Sequence, residues 1–168
     1  PNLNEIQCQS NQLTSINISG TNLYSLQCGS NLLTNINVSS FNNLHTLHCG
    51  SNLFTNLNVS GLNNLLDLRF EFNQISSINL NGLINLTTLD CRGNLLSCID
   101  LTSKPALVFL SCFQSSSLTC IQVDNIALAQ SNIDWNKEAT ATYSLNCSPC
   151  TSAPCLTLYV DADQEGYE

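Results

Sequence analysis

Any chemistry in this sequence would have to come from its ten cysteines, its two histidines or its twelve acidic residues. His45 and His48 have no third ligand type at a motif spacing, so a zinc site is not expected. No G-x-S-x-G, H-E-x-x-H, phosphate-binding loop or dinucleotide fingerprint occurs. Asp67 and Glu71 could pair as hydrolase carboxylates, but an open sheet face would neither exclude water nor tune a pKa. The chain is therefore not expected to be an enzyme. Near the C-terminus, Asp161, Asp163 and Glu165, followed by Gly166, match the D-x-D-x-[acid]-G opening of a calcium loop. There alternate oxygens surround the ion and glycine permits the tight turn. No bidentate acid follows, and a solvated acidic tail is the competing reading. No cofactor is required; calcium at those three residues is the one metal the pattern suggests.

The cysteines divide into two groups. Cys8, Cys28, Cys49, Cys91 and Cys112 share one position of a repeat, and Phe70 takes that position in the fourth unit. A metal ligand or disulfide partner could not be exchanged for an aromatic ring, whereas an inward core position accepts one. These five are expected to be buried free thiols acting as small hydrophobes. Cys98, Cys120, Cys147, Cys150 and Cys155 lie outside that ladder and crowd toward the C-terminus as disulfide candidates. Five cannot pair completely among themselves.

The element that must position these residues is the repeat. Leu3, Leu23, Leu44, Leu65, Leu86 and Leu107 open six units spaced 20 or 21 residues apart, each close to L-x-x-L-x-C-x-x-N-x-L-T-x-I-x-V-S. In the second unit, Leu23, Leu26 and Cys28 belong to a short strand, Asn31 to the turn, and Leu33, Ile36 and Val38 to the returning arm. One such unit cannot close a core, but stacking copies at one strand spacing, about 4.8 Å, buries a continuous apolar column. The turn asparagines, Asn11, Asn31, Asn52, Asn73 and Asn94, with Ser115 at the same offset, are expected to satisfy backbone groups that the bend would bury. The alternating arm, as in I-N-V-S, predicts a second extended segment and no helix. Units this short imply a right-handed parallel β superhelix, flat in section, with little or no α-helix in the repeats.

Residues 1–123 form the predicted solenoid, 124–150 a C-terminal cap, and 151–168 an acidic tail or the start of a calcium-binding-like module. The last coil would otherwise expose its cross-section and an unpaired strand edge. Trp135, Ile126 and Leu128 are expected to cover it, with a short helix around Asn125 to Gln130. The first repeat begins at the first residues without a preceding cap, so the chain is expected to be part of a longer one.

A solenoid places its recognition surface on the outward strand columns. One runs Gln7, Gln27, His48, Arg69, Asp90, Ser111; its neighbour runs Gln9, Gly29, Gly50, Glu71, Arg92, Phe113. A ligand patch is predicted from Tyr24, His45, His48, Arg69, Glu71, Asp90, Arg92, Phe109 and Phe113. The competing reading is a local ion-pair network, and the two phenylalanines could instead pack under the cap. A formal charge of -8 excludes nucleic acid as a natural partner. No apolar run approaches the roughly 20 residues of a membrane helix. Two other classes stand beside a protein or glycan binder. One is an ice- or crystal-surface binder using the Thr14, Thr34, Thr55, Ser76, Ser97 file and the Asn17, Asn37, Asn58, Asn79, Asp100 file; the other is a structural spacer.

The six in-register units over residues 1–147 resemble the leucine-rich-repeat superfamily, specifically the short cysteine-bearing repeats of secreted bacterial proteins of the Bacteroidetes. The resemblance implies a binding or adhesion module of a larger extracellular or cell-surface protein, exported by the type nine route. In those proteins a segment similar to Leu118-Thr119-Cys120-Ile121-Gln122-Val123-Asp124 leads to a closing cysteine, which implies a Cys120–Cys147 bridge; Cys98 competes for it. The acidic tail is similar to the calcium-binding linker repeats of bacterial surface proteins.

Overall fold

A computed structural model describes residues 3–19 and 22–148. Eight short strands precede the only helix among these residues: β1 (Glu5–Gln7), β2 (Ser25–Gln27), β3 (Thr46–His48), β4 (Asp67–Arg69), β5 (Thr88–Asp90), β6 (Cys98–Asp100), β7 (Phe109–Cys112) and β8 (Cys120–Gln122). Helix α1 (Ile126–Ser131) and strands β9 (Trp135–Lys137) and β10 (Thr142–Ser144) follow. The main sheet is parallel, with seven strands in the order β1-β2-β3-β4-β5-β7-β9 and one strand added per turn.

Register follows the leucine spacing. Leu26 stands opposite Leu47, Leu47 opposite Leu68, Leu68 opposite Leu89 and Leu89 opposite Leu110, so one inward file runs the length of the stack. The second inward file is Cys28, Cys49, Phe70, Cys91 and Cys112, all fully buried, while Cys8 at the open first coil is only partly covered. Phe41, Phe54 and Phe70 are the largest buried side chains of this single core. Burial pushes the thiols of Cys28 and Cys112 up to about 12, with the nearby Cys8 thiol adding to the rise at Cys28. The ladder is therefore packed as neutral, buried thiols.

The asparagine file closes the turns. Asn52 donates from Nδ2 to the carbonyls of Cys28, Cys49 and Gly50, and its Oδ1 accepts from Leu33 N–H at 3.0 Å. Asn31, Asn73 and Asn94 repeat the pattern one coil at a time. The residue before each asparagine is forced left-handed: Ser30, Ser51 and Phe72 have φ of 54°, 53° and 53°. For the bulky Phe72 this is a strained conformation. It is held by a backbone bond to Arg92 O and by the amide of Asn73.

The returning arms are extended, as their alternation implied; they form a ladder between β6, β8 and β10, and earlier arms share one backbone bond per turn, such as Leu53 N to Leu33 O. Asn37, Asn58, Asn79 and Asp100 each turn Oδ1 onto the backbone N–H two residues on. One expectation, the cap, needs correcting. Asn125 accepts from Leu128 N–H and caps α1, yet Leu128 is 69% exposed; Ala129 is the residue that α1 buries, with Ile126 and Trp135 packed alongside. A helix this short presents one narrow face. Trp135 also extends the main sheet as part of β9 rather than merely covering it.

The Cys120–Cys147 disulfide is present, with Cα atoms 5.9 Å apart, and ties β8 to the end of the cap. Cys98 is disulfide-bonded as well. Cys150 and Cys155 lie outside the described residues.

Candidate functional site on the strand face

The short strands alternate strictly, so Leu and Cys point inward and the residues between them stand on the outer face. Parallel register then aligns outward residues of successive coils. Asp67 is flanked by Thr46 and Thr88, and Arg69 by His48 and Asp90.

A charged network occupies β3 to β5. Arg69 donates to Asp67 through both Nε (to Oδ1, 2.9 Å) and Nη2 (to Oδ2, 3.0 Å), and His48 Nε2 lies 3.0 Å from the same Oδ2. Burial draws the Asp67 carboxyl upward, but the His48 and Arg69 contacts outweigh it and hold it below its ordinary range. Arg92 pairs with Asp90 at 3.3 Å and lies over the rings of Phe72 and Phe113, 5.5 and 5.4 Å from their centroids. Asp90 is shifted the other way: burial and the neighbouring Glu71 charge raise it despite Arg92. Glu71 joins neither arginine. Its Oε2 is buried without a hydrogen-bond partner, as are Arg92 Nε and Ser111 Oγ.

Aromatic groups flank this centre. Tyr24 and His45 stack with ring centroids 4.2 Å apart and planes at 18°, and His45 Nδ1 lies 2.7 Å from Asn43 O. Phe109 is exposed beside Val108, so it does not pack under the cap. The structure thus distributes the nine predicted residues over one face in three groups: Tyr24 with His45; His48, Arg69, Glu71, Asp90 and Arg92 with Phe113; and Phe109 at the last coil. Phe72 escaped the sequence reading, while Ser111, Gly29 and Gly50 were placed in the outward columns but not in the patch. The signal for Phe72 was an aromatic at a turn position held by serine in the first three coils.

Asp161, Asp163 and Glu165 lie outside the described residues. Among the described residues no group of three His, Cys, Asp or Glu is placed to hold a metal ion. The threonine file is exposed, whereas Asn37, Asn58, Asn79 and Asp100 spend an oxygen on their own turns. Cavities of about 460 and 280 Å³ adjoin Trp135 at the cap, away from the charged centre.

No protein-family model matches the chain, and no curated protein matches it. Among solved structures it is similar to the functional domain of InlJ from Listeria monocytogenes, described as including a cysteine ladder, with a TM-score of 0.67 and 23% identity. The likeness covers 84% of this chain and 34% of that one, so the chain spans about a third of its structural neighbour. The fold is a leucine-rich-repeat solenoid. No helix among the described residues is long and apolar enough to cross a membrane.

Proposed function

We propose that this leucine-rich-repeat chain is a non-enzymatic binding module that receives a protein ligand on its strand face, outside the cell or on its surface. The observation that carries the reading is the contrast between the two sides of each strand. Inward files repeat Leu and Cys almost without change, while the outward columns change residue type at nearly every coil and gather paired charges, exposed aromatics and unpartnered buried polar atoms. Mixed charge and exposed apolar surface of this kind suits a protein interface with a hydrophobic element and a polar rim. The Cys120–Cys147 disulfide supports an oxidising compartment. The test is capture on an array of purified extracellular proteins, followed by binding kinetics with the Arg69→Glu, Arg92→Glu double variant. Affinity for a captured partner is expected to fall at least about tenfold, the scale of losing interfacial charge pairs. Unchanged affinity in a variant with unchanged circular dichroism would move the site off this face.

A further inference from the structure

Of the chain's asparagines, Asn81 alone is followed by glycine; the others precede residues with side chains, many of them branched aliphatics. Asn81 and Gly82 are exposed at the turn that follows the fourth returning arm. Leu83 N–H donates to Leu80 O at 3.2 Å and Gly82 has φ of 84°, whereas Asn81 is not left-handed, so the turn is type II with glycine at its third position. The previous coil builds the same turn from Ser60 and Gly61, with φ of 84° at Gly61 and Leu62 N–H donating to Val59 O at 3.3 Å. The turn itself therefore does not require asparagine.

The peptide joining Asn81 to Gly82 is the unanchored one of this turn. Asn81 N–H is held by Asn79 Oδ1 at 2.9 Å, Leu80 O by Leu83 N–H, and Gly82 O by Ile84 N–H at 2.9 Å. Among the described residues neither Asn81 O nor Gly82 N–H makes a hydrogen bond, and the Asn81 side-chain amide makes none either. Rotation of that peptide changes ψ of Asn81 and φ of Gly82 without breaking a hydrogen bond, and glycine accepts both signs of φ. The rotation brings the Gly82 nitrogen toward Asn81 Cγ, with no Cβ on Gly82 to obstruct the approach. A nucleophile tethered this close to its target reacts without the entropic cost of a bimolecular encounter.

We propose that Asn81 is a site of spontaneous covalent modification, in which the Gly82 nitrogen displaces the side-chain amide. Gly82 N, its proton taken by hydroxide, attacks Asn81 Cγ; the N–Cγ bond forms, the Cγ–Nδ2 bond breaks, and Nδ2 leaves as ammonia with a proton from water. Water then opens the resulting five-membered imide. Attack at the side-chain carbonyl leaves an aspartyl residue. Attack at the backbone carbonyl leaves an isoaspartyl link, which adds one atom to the main chain between the buried Leu80 and Leu83. Either product carries one more negative charge than the parent.

The test is incubation of the whole folded chain at neutral and mildly alkaline pH, followed by peptide mapping that separates aspartyl from isoaspartyl products. Conversion is expected at position 81 ahead of every other asparagine, faster at the higher pH, with both products present. Its rate in the folded chain should lie within about tenfold of that in the urea-unfolded chain, because the rotation breaks no hydrogen bond. Gly82→Ala should slow the reaction at least about tenfold, and in urea this comparison holds even if the variant does not fold. Ser60→Asn places the same pair in the matching turn of the third coil and should create a second site, converting within about tenfold of position 81. A folded rate more than about tenfold below the unfolded one overturns the proposal. So does equal conversion at the other asparagines, a Gly82→Ala chain that reacts as fast as the parent, or a Ser60→Asn chain that stays intact at position 60.

Discussion

Replacing Asn52 by alanine removes four hydrogen bonds from the middle of the stack, but they are not equal. The Cys28 carbonyl still accepts from Asn31 Nδ2, the Cys49 carbonyl from Asn73 Nδ2, and the Gly50 carbonyl from Ser30 N–H. The group with no alternative is Leu33 N–H, whose acceptor is Asn52 Oδ1. One orphaned buried donor costs about 1–3 kcal/mol, and three weakened carbonyl bonds add about 0.5 kcal/mol each. The expected loss is about 3 kcal/mol, measured by urea unfolding with circular dichroism and tryptophan fluorescence required to coincide, because repeat arrays can unfold in parts. Asn11→Ala is the internal control. Its amide bonds the Cys8 and Gln9 carbonyls at an exposed coil, where water replaces it, so the loss should stay below about 1 kcal/mol. Equal effects at the two sites, or a loss at Asn52 below about 1 kcal/mol, would refute the argument that the ladder acts by satisfying buried backbone.

Gly93→Ala tests the strained turn from the other side. Gly93 has φ of 63°, and a Cβ there would lie 2.5 Å from Phe72 Cδ1. Destabilisation of about 1–3 kcal/mol is expected, recovered in part by Phe72→Ser in the same chain; additive losses would show that the ring is not the obstacle. The carboxylates give a pH signature. Asp67 titrates below its usual 3.8, so its charged form stabilises the fold above that value, and the contribution disappears as pH falls through its lowered value. Asp67→Asn should therefore lower stability at pH 7 and bring little further loss in strong acid. Asp90 is raised, so its ionisation opposes folding once pH passes that raised value, and Asp90→Asn should show the opposite trend in paired unfolding curves at acid and neutral pH.

The stack was legible because its causes are periodic: six leucines at constant spacing set the register, and Phe70 in the cysteine file declared that position inward. What escaped was local. The returning arms alternate alike in every unit, yet the ladder forms only between β6, β8 and β10, a difference that hydrophobic pattern does not encode. Leu128 was read as a cover because it is apolar, but which side of a six-residue helix faces the core is decided by how it packs beside β10. On the strand face, column membership was legible from the repeat. The assignment of partners was not: either arginine could reach Glu71 on spacing alone, and neither does.

That division has a physical origin which also makes the face testable. Inward positions are constrained twice, by burial and by the identical residue stacked above and below, so their identity follows from the repeat. Outward positions are constrained only by the sheet's spacing, so Gln27, His48, Arg69, Asp90 and Ser111 can follow one another on the same scaffold. Changing one of them leaves the inward files intact. The energy of the core therefore neither selects nor forbids what the outward columns hold, so a substitution there tests the face without testing the fold.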